Sequence, residues 1–336
     1  MKTSKKTMTL IASCMIVVGI ILGAIGLSAG ARFTITNTKD GFKVIGPEDR
    51  IEEEFSLPSF SNIKVNLDDA DVEIIPSTEY KLEIERLKGI EITHEVENDT
   101  LILTSEEQKS DPKFLLNITI TSIPQPVVKI YVPKDAKFSD ILIVNNFGDI
   151  RLGEMKVDKM DILSTDGDII IKDLQSNDLT IENQFGDITG SKIKTVNLQV
   201  EMNDGDAVFD DLDASSTVFN NEFGDLTFRN IMTHGLTLKS NDGDIDIQGM
   251  LFGKSQIHSS FGDITLKLLN KESELSYSIR TDFGDISVND NEYKIRQLIK
   301  QTQNMSWTSI QMMETFKLSF KEVRRGKPRL FFSLKK

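Results

Sequence analysis

The sequence predicts an all-β protein: a single-stranded β-solenoid, of the β-helix or β-roll kind, made of 19-residue repeats and preceded by one transmembrane helix. Three observations lead there. Gly-Asp dipeptides recur on a 19-residue lattice in the second half of the chain. Apolar residues alternate around each of them with the spacing of two that belongs to strands. One uncharged apolar stretch stands near the amino terminus, and it is long enough to cross a bilayer.

Residues 1–31 are read as a signal-anchor helix. No charge occurs from Thr7 to Ala31, and the core TLIASCMIVVGIILGAIGLSAGA begins at Thr9. As a helix it spans the ~30 Å of hydrocarbon. Lys2, Lys5 and Lys6 precede it and only Arg32 follows closely. The positive-inside rule then predicts a single-pass protein of the cell membrane, its amino terminus cytoplasmic and its body extracytoplasmic. Ala29-Gly30-Ala31 also resembles a signal-peptidase site, so cleavage is the competing reading. Ile11-Ala12-Ser13-Cys14 resembles a lipobox, but most of the apolar run follows Cys14 instead of preceding it. The pairs Gly19 with Gly23 and Gly26 with Gly30 have small-xxx-small spacing, which is common in membrane helices.

Residues 32–50 are a short stalk, and 51–140 a degenerate β-rich lead-in. Within the lead-in, Asn62 to Ile75 alternates, and Ala70-Asp71-Val72 mimics a Gly-Asp-Ile step. Asp99 to Thr104 and Val127 to Pro133 read as further strands. Residues 105–126 hold polar stretches and three prolines suited to loops.

Residues 141–290 carry the repeat. The corners are Gly148-Asp149, Gly167-Asp168, Gly186-Asp187, Gly205-Asp206, Gly224-Asp225, Gly243-Asp244, Gly262-Asp263 and Gly284-Asp285. The first six intervals are 19 residues and the last is 22. Two residues after each glycine stand Ile150, Ile169, Ile188, Ala207, Leu226, Ile245, Ile264 and Ile286. Four after it come Leu152, Ile171, Gly190, Phe209, Phe228, Ile247, Leu266 and Val288. One such unit cannot bury its apolar face, whereas stacked units can, pairing backbones ~4.8 Å apart. Before the glycine, Phe147, Phe185, Phe223 and Phe261 alternate with Asp166, Asp204 and Asp242, and Phe283 closes the series. This second period leaves two coils open: 19 residues with a paired ancestral duplication, or 38 residues with Phe stacked on Phe.

Residues 291–336 are a basic tail of net charge +8, which leaves −21 for residues 1–290. The stretch Tyr293 to Gln303 reads as helical. The ending KEVRRGKPRLFFSLKK suits either an anionic lipid or wall-polymer surface, or a terminus that caps the acidic body.

Taken together, the membrane segment, the lead-in, the strand IYVPKD from Ile130 to Asp135 and the N/S-x-F/D-G-D-I steps resemble a bacterial adhesin-like domain family of unknown function, in particular its LiaG/YvlB-like group from low-GC Gram-positive bacteria. The resemblance covers roughly residues 50–290. It implies an extracytoplasmic β-solenoid, membrane-anchored in the LiaG-like members, with a link to envelope stress or surface attachment. The family has no established catalytic residues to carry over. The tail after Asp290 departs from the pattern, since further Gly-Asp coils would be expected there.

The chemistry is constrained by composition. Lys plus Arg is 39 and Asp plus Glu 52, a net charge of −13. Nucleic acid is therefore not an expected partner. A single cysteine and three scattered histidines exclude an internal disulfide and disfavour Cys- or His-based metal sites and His-dependent triads. No P-loop, HExxH or dinucleotide fingerprint occurs, and the GxSxG spacing from Gly26 to Gly30 falls inside the apolar amino-terminal run. A sugar-cleaving carboxylate pair needs an asymmetric cleft, and a constant period supplies none. No enzyme and no cofactor are expected. The aspartate column admits two readings. Each carboxylate accepts a backbone N–H at its own corner, or calcium bridges stacked carboxylates, with Asp166, Asp168, Asp204, Asp206, Asp242 and Asp244 as the candidate ligands. The phenylalanines are expected as core plugs, with an outward stripe gripping a sugar or partner strand as the alternative. The expected partners are membrane lipid through the amino-terminal helix, and envelope proteins or wall polymer through the body. The expected role is a non-catalytic, adhesin-like envelope protein. The alternatives are an accessory subunit docking membrane proteins of an envelope-sensing system and, last, a carbohydrate-active enzyme.

Overall fold

The computed structural model describes the backbone of residues 5–28, 35–38, 41–44, 49–105, 125–271, 275–281, 286–288, 291–293, 297–300, 306–312 and 316–320. Side-chain surroundings are described for 9–26, 49–105 and 125–271. The chain divides into two units. One comprises Met1–Ile51 with Arg86–Gly89 and Gln108–Pro124; the other comprises Glu52–Glu85, Ile90–Glu107 and Gln125–Lys336.

The first unit contains helix α1, Lys5–Ser28. Its window Thr9–Gly26 is apolar and long enough to cross a membrane, and none of that window is buried. Leu10, Ile16, Ile20 and Leu22 are all exposed. A helix of this length and hydropathy near the amino terminus fits a membrane anchor or a signal sequence. A short antiparallel hairpin follows, Ile35–Thr38 against Gly41–Val44.

The second unit is a β-solenoid of about seven turns. Its central strands pair in parallel, each residue with the one 19 positions later. Ile150 faces Ile169, Ile169 faces Ile188, Ile188 faces Ala207, and Ala207 faces Leu226. One coil is therefore 19 residues long, and the 38-residue alternative falls. Parallel in-register stacking turns every repeated position into a column. The column that pairs Ile143 with Ile162 and continues through Ile181, Val200, Phe219, Leu238 and Ile257 points inward and is buried. Each buried aliphatic contributes about 1.5–3 kcal/mol. In the middle of the stack Phe209 and Phe228 stack at 5.7 Å, with Phe219 edge-on to both. Gly190 makes room for this cluster, because a Cβ there would lie 2.6 Å from the Phe209 ring.

The ends of the solenoid are threaded. At the first end, Asn62–Asp69 lies between Lys137–Phe147 and Thr100–Ser105, all parallel. Asp71–Ser77 likewise lies between Ile150–Leu152 and Val127–Pro133. The first coil in sequence is therefore the second in space. The outermost strands are covered by antiparallel neighbours, Ile92–Glu97 on Thr100–Ser105 and Lys81–Leu87 on Val127–Pro133. The other end repeats the device. Ser306–Met312 sits between Ser255–Ser259 and Leu275–Thr281, and Phe316–Phe320 between Ile264–Leu268 and Ile286–Val288. Antiparallel Gln297–Lys300 and Asn291–Tyr293 cover the outermost coil. Antiparallel covering occupies the open backbone groups that would otherwise template edge-to-edge pairing.

This arrangement corrects two sequence expectations. Residues from 291 onward are not wholly a tail outside the solenoid, because two of their strands complete a coil within it. The helix expected over Tyr293 to Gln303 is not found either: Asn291–Tyr293 and Gln297–Lys300 are strands. Edge covering by a neighbouring backbone outweighs the local helical pattern there.

Candidate binding surface

The Gly-Asp corner is the feature that repeats most strictly, and its geometry explains why. Gly205 has φ +139, and a Cβ on it would stand against the carbonyl of Gly186, 2.7 Å from the carbonyl carbon. Successive corners stack so closely that only glycine fits between them. The same holds along the column from Gly148 to Gly262.

Each aspartate then reaches to the next coil. The backbone N–H of Asp168 donates to Asp149 Oδ1 at 3.0 Å, and that of Asp187 to Asp168 Oδ1 at 2.9 Å. The pattern continues through Asp206, Asp225, Asp244 and Asp263, and Asp71 begins it by accepting from Asp149. The acceptor is thus the neighbouring coil's carboxylate and not one at the donor's own corner. Carboxylates ~4.8 Å apart repel by about 0.9 kcal/mol at water's dielectric. A hydrogen bond to a charged acceptor contributes about 1.5–3 kcal/mol, so the ladder is net attractive. Gly284 and Asp285 lie outside the described residues.

A second column stands three residues before each glycine. Asn145, Asn183 and Asn221 are buried there. Asn183 Nδ2 donates to the carbonyl oxygens of Gly186 at 2.9 Å and Gly167 at 3.3 Å, tying two corners together. Asn145 does the same for Gly148 and Ala70. The N/S position of the repeat step signalled this column, but not that its side chains point inward.

The residues just before the glycines form the outward edge. Phe147 faces Asp166, Asp166 faces Phe185, Phe185 faces Asp204, Asp204 faces Phe223, and Phe223 faces Asp242. Asp69 extends the alternation at one end, facing Phe147. Burial raises the Asp69 carboxyl above its ordinary pKa, while a hydrogen bond from Gln125 pulls it the other way. Phe147, Phe185, Phe223 and Phe261 are exposed at 46%, 45%, 47% and 49%. They are not core plugs, and the outward alternative is the one the structure adopts. The reason is the corner itself: glycine turns the chain there, so the residue before it sits on the convex side. Phe283 lies outside the described residues.

Asp166, Asp204 and Asp242 are consequently two coils apart, with a phenylalanine between successive members. Among the described residues no group of three or more His, Cys, Asp or Glu side chains is placed to hold a metal ion. The corner is unevenly neutralised. Arg151 pairs with Asp149 at 2.5 Å and approaches Asp71 at 3.7 Å. Asp166, Asp168, Asp187, Asp204, Asp206, Asp225, Asp242 and Asp244 have no ion pair among the described residues. Beside this edge runs an open trough of about 460 Å³ over four coils, with Val144, Leu163, Glu182 and Glu201 among the residues that line it.

A stack of similar coils that presents one aromatic and acidic edge and, among the described residues, no unique polar constellation defines a repeat scaffold whose surface is a periodic array. The family comparison agrees with this class. The Toastrack DUF4097 family model matches residues 60–315, and the chain belongs to that family. No curated protein matches the sequence. Among solved structures, a candidate adhesin from Bacteroides fragilis is similar at 11% identity and TM-score 0.41, over 81% of this chain and 97% of its own. A candidate lipid-binding protein from Parabacteroides distasonis is similar at 12% identity and TM-score 0.45, over 81% and 98%. A candidate adhesin from Parabacteroides merdae is similar at 11% identity and TM-score 0.31, over 82% and 98%.

Proposed function

We propose that this protein is a non-catalytic, adhesin-like binding protein of the cell envelope, held in the membrane by α1 with its solenoid extracytoplasmic. The observation that carries the reading is the row of half-exposed phenylalanines, one every second coil, on a rigid edge. Exposing four large aromatics in line has a solvation cost that folding does not require, since an outward polar residue fits the same corner in the Asp coils. Their retention on one edge supports a contact surface. The lysines before α1 support a cytoplasmic amino terminus. The envelope-stress association belongs to this reading, as does contact with envelope proteins or wall polymer.

The test is crosslinking in intact host cells, comparing the full chain with a variant carrying Phe147→Ser, Phe185→Ser, Phe223→Ser and Phe261→Ser. The reading expects defined envelope material to be captured by the parent and at least tenfold less by the variant. Capture of a few membrane proteins favours the accessory-subunit form, and capture of wall polymer or surface proteins the adhesin form. Equal capture by both chains, or a carboxy-terminal tag reachable only from the cytoplasm, overturns it.

A further inference from the structure

We infer that the phenylalanine and aspartate edge of the solenoid is covered in the resting protein by the chain's own basic end, residues 321–336. The inference rests on the proposed use of that edge for binding, and adds how access to it is controlled.

The first argument is charge. The edge and the adjoining Gly-Asp column place eight aspartates without an ion pair among the described residues beside four half-exposed phenylalanines. A ligand for that surface must bring cations and apolar groups together. Residues 321–336, KEVRRGKPRLFFSLKK, hold seven Lys or Arg against one Glu, with Leu330, Phe331, Phe332 and Leu334 among them. No other stretch of the chain combines the two so densely, and the rest of the exported body is acidic.

The second argument is reach. Phe316–Phe320 is in register with Ile264–Leu268, and Ile264 directly follows the Gly262-Asp263 corner. The segment therefore departs about 13 Å from the edge, at ~3.3 Å per residue. From Phe147 to Phe261 the edge runs six coil steps, about 29 Å at ~4.8 Å each. Sixteen residues extend to about 53 Å at most, so the segment covers both distances. An intrachain segment also acts at the millimolar effective concentrations that short tethers give, so modest contacts suffice to keep it in place.

The experiment places a photoreactive group on the edge by Phe185→p-benzoylphenylalanine in the full chain, in nanodiscs of neutral lipid. Phe185 is half-exposed, so the substitution leaves the coil intact. The expected product is a crosslink to peptides from residues 321–336. It should fall about tenfold in 1 M salt, where the Debye length is ~3 Å. It should fall likewise in a second chain that adds Arg324→Gln, Arg325→Gln, Lys327→Gln and Arg329→Gln, changes that lie outside every described strand. Removing residues 321–336 should raise capture of envelope material several-fold. Mixing isotopically labelled and unlabelled chains separates one chain from two: crosslinks only between different chains overturn the inference. Crosslinks only to lipid, or yields indifferent to the tail charges, do so as well. Loss of capture in the phenylalanine variant without any tail crosslink defeats the inference and leaves the proposed function standing. Tail crosslinking with capture indifferent to the phenylalanines does the reverse.

Discussion

Gly205→Ala tests the corner most directly. The new Cβ would overlap the Gly186 carbonyl oxygen and stand 2.7 Å from its carbon, where ordinary contacts begin at 3.4 Å, so the two coils must part by at least about 0.7 Å or the corner must twist. Four bonds bracket that spot: Gly186 N–H to Asp204 O at 3.1 Å, Gly205 N–H to Phe223 O at 3.2 Å, Ile188 N–H to Asp206 O at 2.9 Å, and Asp206 N–H to Asp187 Oδ1 at 2.9 Å. A side chain at positive φ costs about 1–2 kcal/mol, and each weakened bond about 0.5–1.5 kcal/mol. The expected loss is about 3–5 kcal/mol. Gly235→Ala is the internal control. Its nearest heavy atom is the Lys254 carbonyl oxygen at 3.8 Å, and its φ is ordinary, so its cost should stay within about 0.5 kcal/mol. Urea unfolding of the full chain in detergent, followed by far-UV circular dichroism, reads both. A difference between the variants below about 1 kcal/mol would refute the view that stacking fixes the corner glycines.

Four further outcomes follow from the same geometry. Phe223→Ser should leave stability within about 0.5 kcal/mol, whereas Phe219→Ala, in the buried aromatic cluster, should cost about 3–5 kcal/mol; the order of the two denaturation midpoints decides. Asn183→Ala removes the donor that ties Gly167 to Gly186 and should cost about 1–3 kcal/mol by the same assay. Calcium or a chelator should move the melting temperature by less than about 1 °C, because Oδ1 of each corner aspartate from Asp71 to Asp244 is already held by an N–H; a larger rise with calcium would restore the bridging-ion reading. Ending the chain after residue 290 removes the strands between Ser255–Ser259 and Leu275–Thr281, so hydrogen exchange should accelerate over 255–288 while 137–250 stays protected; uniform protection would contradict the threaded end.

Much of the solenoid was legible because stacking in register converts a period in sequence into a column in space. The 19-residue lattice and the spacing of two identified the repeat, its strands and the corner glycines, but not whether one coil takes 19 residues or 38. The outward phenylalanines were misassigned for a definite reason. Hydrophobicity argues for burial, but at a corner the side of the chain is set by the turn and not by residue type. The buried asparagines were hidden for the converse reason: a polar residue reads as exposed until the carbonyls it joins are seen. The aspartate ladder was half legible, since the carboxylate's need for a donor was clear and the donor's location one coil away was not.

Local chemistry and periodicity thus determined the apolar helix, the repeat, and the acidic body with its basic end. Only the tertiary structure decided the 19-residue turn, the outward Phe and Asp edge, and the threading that places Asn62–Ser77 and residues 306–320 one coil inside their ends. Strand order carries no signature in sequence, because any parallel strand of matching pattern satisfies its neighbour's backbone. The choice among equivalent partners is made by how the open edges are finally covered.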